Sequence, residues 1–363
     1  MNIVGEIKGI SYKICLAKQL SKIDFKEFDI NHSPTACVVQ DGKNTFAISK
    51  WVSPKRTRSY PYERVYNTLN LSKKITIIPI VKDEGASGDR DFIQWDTASL
   101  MSLLDVFVIF AYYHTATKKN NKITAQKFDN KYILTKINEI SQYHSSALHW
   151  NLNELTTNLH SVIDKTKKAY KKIGTETGVR LHDKSGLDNF KEKIGTDVSK
   201  FKQFSRDKAE QAQAREYVTI QPKEKLTTLT KAKITITNYL GGQYFFTVDE
   251  IKRTAKMLQL IECKHSENTL LPSRGDIKDG LLKMILYCNL SDTKVDGTTI
   301  KTIPILELTS KKMKGSIDSN ASIIDIRKFK TKNKFSVGQI KLIETLFNEA
   351  KSNKFTVRIK QAS

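Results

Sequence analysis

The chain has 363 residues, of which 39% are hydrophobic, so it can bury the core of two or three domains or of one large elaborated domain. The longest apolar run, at 106–113, is too short to span a bilayer, and the N-terminus lacks the apolar core of a signal peptide. A formal net charge of +23, from 61 Lys and Arg against 38 Asp and Glu, is typical of a generic basic protein or of one that binds nucleic acid.

The four cysteines are scattered, with no C-x-x-C pair and no histidine spacing suited to zinc. They are Cys15, Cys37, Cys263 and Cys288. Their pattern predicts reduced thiols in a reducing compartment. We therefore expect a soluble, cytoplasmic protein of a bacterial or similar cell, with no membrane partner.

Residues 1–117 are predicted to be a β-rich α/β region. Four short apolar or alternating runs favour strands: SYKICLA, TACVVQ, TFAISKWV and KKITIIPIV. The run IQWDTASLMSLLD has helical spacing, and VFVIFAYY is typical of a buried strand. Strand, helix and strand in this order indicate a β-α-β piece of an α/β layer.

Two loops in this region carry candidate ligand-binding groups. The segment SPKRTRSYPYERVYN interleaves cations with tyrosines, a composition suited to phosphate contact and base stacking, or else to a solvated loop whose tyrosines pack on the body. Its candidate DNA-binding residues are Lys55, Arg56, Arg58 and Arg64. The loop KDEGASGDRD offers a rival metal site at Asp83, Glu84, Asp89 and Asp91, although two glycines there are more typical of a simple turn.

Residues 118–215 are lysine-rich and lack proline, which favours a helical subdomain. Leucines recur at helical spacing from Leu148 to Leu159, so a long amphipathic helix is predicted. Its C-terminal end carries a lysine cluster that suits the helix dipole but is large enough to suggest phosphate contact as well. The candidate DNA-binding lysines here are Lys167, Lys168, Lys171 and Lys172. This subdomain is expected to clasp DNA or to bury a partner subunit.

Residues 216–363 contain the candidate catalytic region. The strand AKITITNYL is followed by GGQYFFTVDEIKRTAKMLQLIECKHS, which we interpret as two strands joined by a basic turn. The helix DIKDGLLKMILYCNL and the strand KTIPILEL come next. The tail is predicted to form the strand SIIDIRKF, the helix VGQIKLIETLFNEAKSN and the strand KFTVRIK.

An acid on the first hairpin strand and a Glu-x-Lys pattern on the second define the candidate site. Side chains alternate along a strand, so Glu262 and Lys264 share a face, and hairpin pairing can bring Asp249 near it. Two carboxylates can hold a hard divalent cation, and with the ammonium beside them they can position a water for attack on a phosphodiester. The same residues could instead form a cross-strand ion pair. Lys278 and Lys283, on the following helix, are candidate phosphate contacts, or part of a solvated helix face.

The order of these elements and residues resembles the PD-(D/E)xK nuclease core. Two stretches are similar in texture to type II restriction endonucleases. One is VDEIKRTAKMLQLIECKHSENTLLPSRGDIKDGLLKMILYCNL, and the other, residues 73–113, is similar to the N-terminal part of such enzymes. The core resemblance covers about 232–309 alone, and its motif is short. One position departs from the pattern, since Val248 stands where proline is usual before the first acid.

The resemblance implies an α/β fold, with a mixed-sheet nuclease core flanked by helices, a β-rich N-terminal region and a helical insertion. It implies that Asp249, Glu262 and the backbone carbonyl of Cys263 ligate Mg²⁺, while Lys264 orients or deprotonates the attacking water or stabilises phosphate charge. The implied activity is site-specific hydrolysis of double-stranded DNA by a homodimer paired with a DNA methyltransferase. A repair or recombination nuclease and a non-catalytic nucleic-acid-binding protein are the alternatives.

Overall fold

The structure is a computed structural model of the chain. It describes residues 2–42, 44–55, 61–183, 185–194, 199–203, 206–207, 232–239, 241–254 and 257–362. The chain forms two compact units, a middle unit of Gln19–Arg206 and a split unit of Met1–Lys18 with Asp207–Ser363. The sequence predicts three segments, at 1–117, 118–215 and 216–363.

Strands and helices alternate along the chain, so the fold is α/β with mixed sheets. The strands are β1 Asn2–Ile7, β2 Lys22–Asp24, β3 Ala36–Asp41, β4 Asn44–Lys50, β5 Lys73–Pro79, β6 Val81–Asp83, β7 Arg90–Phe92, β8 Val106–Ala111, β9 Tyr113–Lys119, β10 Lys122–Phe128, β11 Ala232–Asn238, β12 Gln243–Val248, β13 Glu250–Arg253, β14 Met257–Ser266, β15 Ser291–Val295, β16 Thr298–Thr299, β17 Lys301–Ser310, β18 Ser316–Asp318 and β19 Thr356–Gln361. The helices are α1 Pro61–Thr68, α2 Trp95–Leu103, α3 Asn130–Ser141, α4 Ala147–Asn153, α5 Leu159–Thr177, α6 Ser185–Ile194, α7 Arg274–Cys288, α8 Ile323–Asn333 and α9 Val337–Asn353.

The middle unit is built on the five-stranded sheet β2-β3-β4-β5-β8. The strands β4, β5 and β8 run parallel, and α2 connects β5 to β8, which confirms the predicted β-α-β piece. Helices α3 and α4 bury their apolar faces on this sheet. Asn151 of α4 covers the edge of β8, where its side chain accepts a hydrogen bond from Val108 N (2.7 Å) and donates one to Val106 O (2.9 Å). An edge strand whose backbone N–H and C=O groups are already hydrogen-bonded cannot pair with another strand at those positions.

The predicted long amphipathic helix is present but contains one π turn. Helix α4, the π turn Glu154–Asn158 and α5 follow one another without a break. The π turn rotates the buried face, so Leu148 and Leu152 are only half-buried while Leu159 is 2% exposed. The region 118–215, predicted as a helical subdomain, also contains the strand β10 at its start.

The split unit holds two five-stranded sheets, β12-β11-β1-β15-β16 and β13-β14-β17-β19-β18. In the second sheet β14, β17 and β19 run parallel, and β13 lies antiparallel to β14 at the edge. The predicted order of strand, strand, strand, helix and strand is found as β11, β12–β13, β14, α7 and β17, with the hairpin β15–β16 inserted before β17. Asp249 lies at the junction where the chain passes from one sheet to the other.

Two strand predictions in the split unit are wrong. The segment SIIDIRKF forms the start of α8, because the Ser322 hydroxyl caps the helix by accepting from Asp325 N at 3.1 Å. The segment SYKICLA forms no strand. Its backbone N–H groups are taken by side chains of α9, since Cys15 N and Leu16 N both donate to Glu349 Oε2.

Candidate functional site

Strand pairing brings Asp249 and Glu262 together. In the antiparallel pair β13–β14, Glu250 lies opposite Ile261. The two strands run in opposite directions, so one step back along the chain from Glu250 to Asp249 matches one step forward from Ile261 to Glu262. Asp249 and Glu262 therefore face each other on one side of the ribbon, and Lys264 follows two residues later on the same face. Glu250 lies on the opposite face, as alternation predicts. The three predicted site residues thus occupy one face at the edge of the sheet.

Helix α7 brings two further charged groups to this face. Asp279 and Lys283 are one helical turn apart, and Lys283 donates a hydrogen bond of 2.7 Å to Glu262 Oε2 while Lys264 donates one of 3.0 Å to Asp279 Oδ2. Gly280 between them lets the helix approach closely, because a Cβ there would lie 2.7 Å from Leu306 Cδ1. Asp279 was not predicted as a site residue, and Lys283 was predicted only as a phosphate contact or a solvated lysine, not as a partner of Glu262. The signal that could have found them is a polar i, i+4 pair on an otherwise buried helix.

Glu262 is the fully buried centre of an ion network. Its side chain is 0% exposed, and Lys264 Nζ lies 3.0 Å from Oε1. Burial alone raises the pKa of this carboxyl, but Lys283 and Lys264 outweigh burial and hold the pKa at about 2. Burial likewise disfavours the charged form of Lys264, yet Glu262 and Asp279 together raise its pKa. Glu262 is therefore an anion, and Lys264 a cation, at neutral pH.

At Asp249 the effects that raise the pKa outweigh those that lower it. Its Oδ2 accepts a hydrogen bond of 2.8 Å from Cys263 N. Burial and then the neighbouring charge of Glu262 raise the pKa of Asp249 to about 7. Two adjacent carboxylates repel each other, and Lys283, Lys264 and the hydrogen bond only partly offset this repulsion. Asp249 is consequently half protonated near neutral pH until a cation compensates its charge.

The donor set at this face fits a hard divalent cation. Asp249 and Glu262 supply carboxylate oxygens, and Glu262 Oε1 is buried without a well-aligned hydrogen bond despite the nearby ammonium. In an extended strand the N–H and C=O of one residue point to the same side, so the carbonyl of Cys263 points towards Asp249 as its N–H does. Three oxygens around a site of excess negative charge are ligands that Mg²⁺ prefers.

A second cluster lies on the opposite face of the same sheet. Ligand atoms of Glu250, Cys263 and Glu307 lie within 4.8 Å of one another. Glu307 is already neutralised, because Lys360 Nζ lies 2.7 Å from Oε1 and Arg358 Nη1 lies 3.1 Å from Oε2. Burial is the largest cause that raises the pKa of the Cys263 thiol, so this sulfur is a protonated, poor ligand. These contacts make the group a cluster of ion pairs on one face of the sheet.

The predicted DNA-binding residues of 55–66 have structural roles where they are described. Lys55 Nζ lies 2.6 Å from the buried carboxylate of Asp91. Arg64 donates a hydrogen bond of 2.6 Å to the Lys50 carbonyl, and burial lowers its pKa. Both side chains are therefore already occupied. Arg56 and Arg58 lie outside the described residues.

The lysines of α5 divide into engaged and exposed ones. Lys167 is paired with Asp188 of α6, and Lys172 lies 3.7 Å from Glu176 one turn later. Lys168 and Lys171 are exposed. Lys278 of α7 is only 4% exposed, so the prediction that it lies on an open, phosphate-facing surface is wrong. Most of α7 is buried as well, and its more accessible residues are Arg274, Gly275, Asp276, Asp279 and Cys288.

No family model matches the chain, and neither curated proteins nor solved structures include a significantly similar one. Within the ranges given above, no helix has the length and apolar character needed to cross a membrane.

Proposed function

We propose that the protein is a Mg²⁺-dependent endonuclease of the PD-(D/E)xK type that hydrolyses phosphodiester bonds of double-stranded DNA at specific sites, as type II restriction enzymes do. One observation carries the proposal: Asp249, Glu262 and Lys264 share one face at the edge of the sheet, with α7 packed over them. We further propose that it acts as a homodimer, since a symmetric site presents two strands to two active sites. A DNA methyltransferase would protect the host DNA.

Each residue has a distinct task in this proposal. Bound Mg²⁺ would supply charge neutralisation on the non-bridging phosphate oxygens and polarisation of a water. Asp249, Glu262 and the Cys263 carbonyl would hold the ion. Lys264 would present its ammonium to the attacking water or to the scissile phosphate.

The ion network supports a pre-formed position for Lys264. This lysine contacts both Glu262 (3.0 Å) and Asp279 (3.0 Å). Asp279 would keep the ammonium of Lys264 in place when the carboxylate of Glu262 binds Mg²⁺. Lys283 would remain on the second oxygen of Glu262, at 2.7 Å, and fix the rotamer of that carboxylate. Asp279 and Lys283 are therefore positioning residues in this proposal.

The whole-chain charge supports DNA as the substrate class. A net charge of +23 favours association with a polyanion through counterion release. Charge alone does not separate an enzyme from a binding protein, because both would bind DNA with a strong salt dependence. The acid pair is what favours hydrolysis.

The test is incubation of the purified protein with unmethylated DNA, in millimolar Mg²⁺ or in chelator, beside Lys264→Ala and Glu262→Gln. Glu250→Gln is the matched control, since it removes the carboxylate next to Asp249 from the other face. We expect discrete, Mg²⁺-dependent fragments with the wild type and the control, and intact DNA with the two site variants.

The other outcomes separate the alternatives. A smear instead of fragments would favour a repair or recombination nuclease of low sequence specificity. DNA that is shifted in a gel but never cut would contradict catalysis and leave a non-catalytic DNA-binding protein. Retained cleavage by Glu262→Gln would show that Glu262 is only an ion-pair partner.

A further inference from the structure

The hairpin β9–β10 of the middle unit forms a two-stranded ribbon separate from the main sheet. Residues directly opposite each other in an antiparallel pair share a face. The pairs Lys119–Lys122, Thr117–Thr124 and Thr115–Lys127 therefore place three lysines and three threonines on one face. These side chains are exposed, apart from the half-buried Thr115. The face presents hydrogen-bond donors and positive charge and contains no acid.

A bulge keeps the third lysine on that face. Between Thr124 and Lys127 the ribbon advances three residues on β10 but two on β9. Without the extra residue, alternation would turn Lys127 to the other side. Ala125 in the bulge has φ +46°, a left-handed conformation that costs a non-glycine residue about 1–2 kcal/mol. Strain of this kind persists where the surrounding structure fixes it, and it often marks a functional segment.

The ribbon is fixed to the body of the unit at its base. The amide of Gln126 donates to Asp83 O at 2.7 Å and accepts from Tyr170 Oη at 2.9 Å. Asn31 forms two hydrogen bonds with the backbone of Phe128, of 2.7 and 3.0 Å. A cavity of about 920 Å³ opens beside the ribbon, and the three lysines line it. The base of the ribbon is therefore fixed by hydrogen bonds, and its three lysines border the cavity together with Glu84 of the body.

The tip of the ribbon is a two-residue turn, Asn120–Asn121, between Lys119 and Lys122. Both asparagines are exposed, and Asn120 has φ +56°, which asparagine tolerates. Within the described residues, none of the three lysines of the ribbon face forms an ion pair, and neither asparagine side chain has a hydrogen-bond partner. These groups are free to bind an external ligand.

We infer that the β9–β10 ribbon is a DNA-reading element, which enters the major groove of double-stranded DNA. The inference rests on the proposed function for the identity of the polyanion. The major groove of B-DNA, about 12 Å wide, admits a two-stranded β-ribbon, whereas the major groove of A-form RNA is too narrow for side chains to read. The lysines and threonines of the face contact phosphates, and the amides of Asn120 and Asn121 meet base edges, where asparagine pairs with adenine.

Filter binding of a DNA duplex in chelator tests the ribbon without any need for cleavage. The triple variant Lys119→Ala, Lys122→Ala, Lys127→Ala should bind at least about tenfold more weakly, with the slope of log K against log salt reduced by about 3. The control is Lys22→Ala, Lys26→Ala, Lys131→Ala, which removes the same charge from exposed lysines elsewhere in the unit and should leave the slope unchanged. The triple Lys→Arg variant of the ribbon should bind as the wild type does, which separates lost contacts from a folding defect.

Selection of a randomised duplex pool by Asn121→Ala, also in chelator, should lose the sequence preference at one or two base pairs that the wild type shows. An unchanged slope and affinity in the ribbon variant, or a better competition by RNA than by duplex DNA, would overturn the inference. A wild type that binds through the ribbon but never cuts would overturn the proposed nuclease function and leave the ribbon intact.

Discussion

Replacement of Asp249 by Asn should stabilise the metal-free protein at alkaline pH. The change keeps the size of the side chain and an oxygen that can accept from Cys263 N, and it removes only the ionisable group. The pKa of Asp249 rises from 3.8 to about 7 on folding, because of burial first and Glu262 second. A carboxyl whose pKa is raised in the folded state adds stability that is fully present below its unfolded pKa and is lost as the pH rises through the folded pKa.

The size of the effect follows from the same shift. At about 1.4 kcal/mol per pKa unit, a rise from 3.8 to about 7 corresponds to at most about 4 kcal/mol. Asp249 is partly exposed, so solvent screening reduces this, and we expect about 2–4 kcal/mol. Relative to Asp249→Asn, the wild type should lose this amount of unfolding free energy as the pH rises from the unfolded pKa of 3.8 to the folded pKa of about 7, and the difference should stay constant above about pH 8.

Urea unfolding in chelator, followed by circular dichroism across this pH range, measures the difference. Glu250→Gln is the control, and it should keep the pH-dependent step of the wild type. Added Mg²⁺ should stabilise the wild type at alkaline pH and leave Asp249→Asn unchanged, because binding to the folded state alone adds free energy. Parallel pH profiles for the wild type and Asp249→Asn would refute the reasoning.

Three further changes test the packing around the site and the ribbon. Lys283→Met leaves the buried Glu262 with one cation and should lower the unfolding free energy in chelator by about 3 kcal/mol, as measured in urea; a loss below about 1 kcal/mol would contradict a buried ion pair. Gly280→Ala places a Cβ 2.7 Å from Leu306 Cδ1 and should cost about 1–3 kcal/mol and reduce cleavage; an unchanged melting temperature would show that α7 moves freely. Ala125→Gly relieves the left-handed conformation at φ +46°. It should raise the free energy of unfolding by up to about 1 kcal/mol and raise the melting temperature accordingly; a lower melting temperature would argue against strain.

The acid pair could be predicted because it depends on local rules. Strand alternation fixes the faces of Glu262 and Lys264, and a short hairpin fixes the partner of Glu262. The contact of Lys283 with Glu262 depends on how α7 crosses the sheet: the i, i+4 spacing of Asp279 and Lys283 puts them on one helix face but does not fix what that face meets. In sequence Lys283 is one lysine among many, and only the packing of Gly280 on Leu306 brings it to the buried carboxylate.

The wrong strand predictions have the same origin. In SIIDIRKF the β-branched residues favoured a strand, but Ser322 and Asp325 form a helix cap, and Ile323 is left 76% exposed. In SYKICLA the alternation is real, but Glu349, far along the chain, binds the backbone that a sheet would need. Short apolar runs do not separate these outcomes, because capping and long-range side chains decide them.

The division of the chain into two units separates its aromatic fluorophores. The three tryptophans, Trp51, Trp95 and Trp150, are at most 3% exposed and all lie in the middle unit. Intrinsic tryptophan emission therefore reports on the unit that carries the ribbon and is silent for the unit that carries the acid pair. A tryptophan at Tyr239, which is 59% exposed, would give the split unit a spectroscopic signal of its own. Ligand binding could then be assigned to one unit or the other by which emission changes.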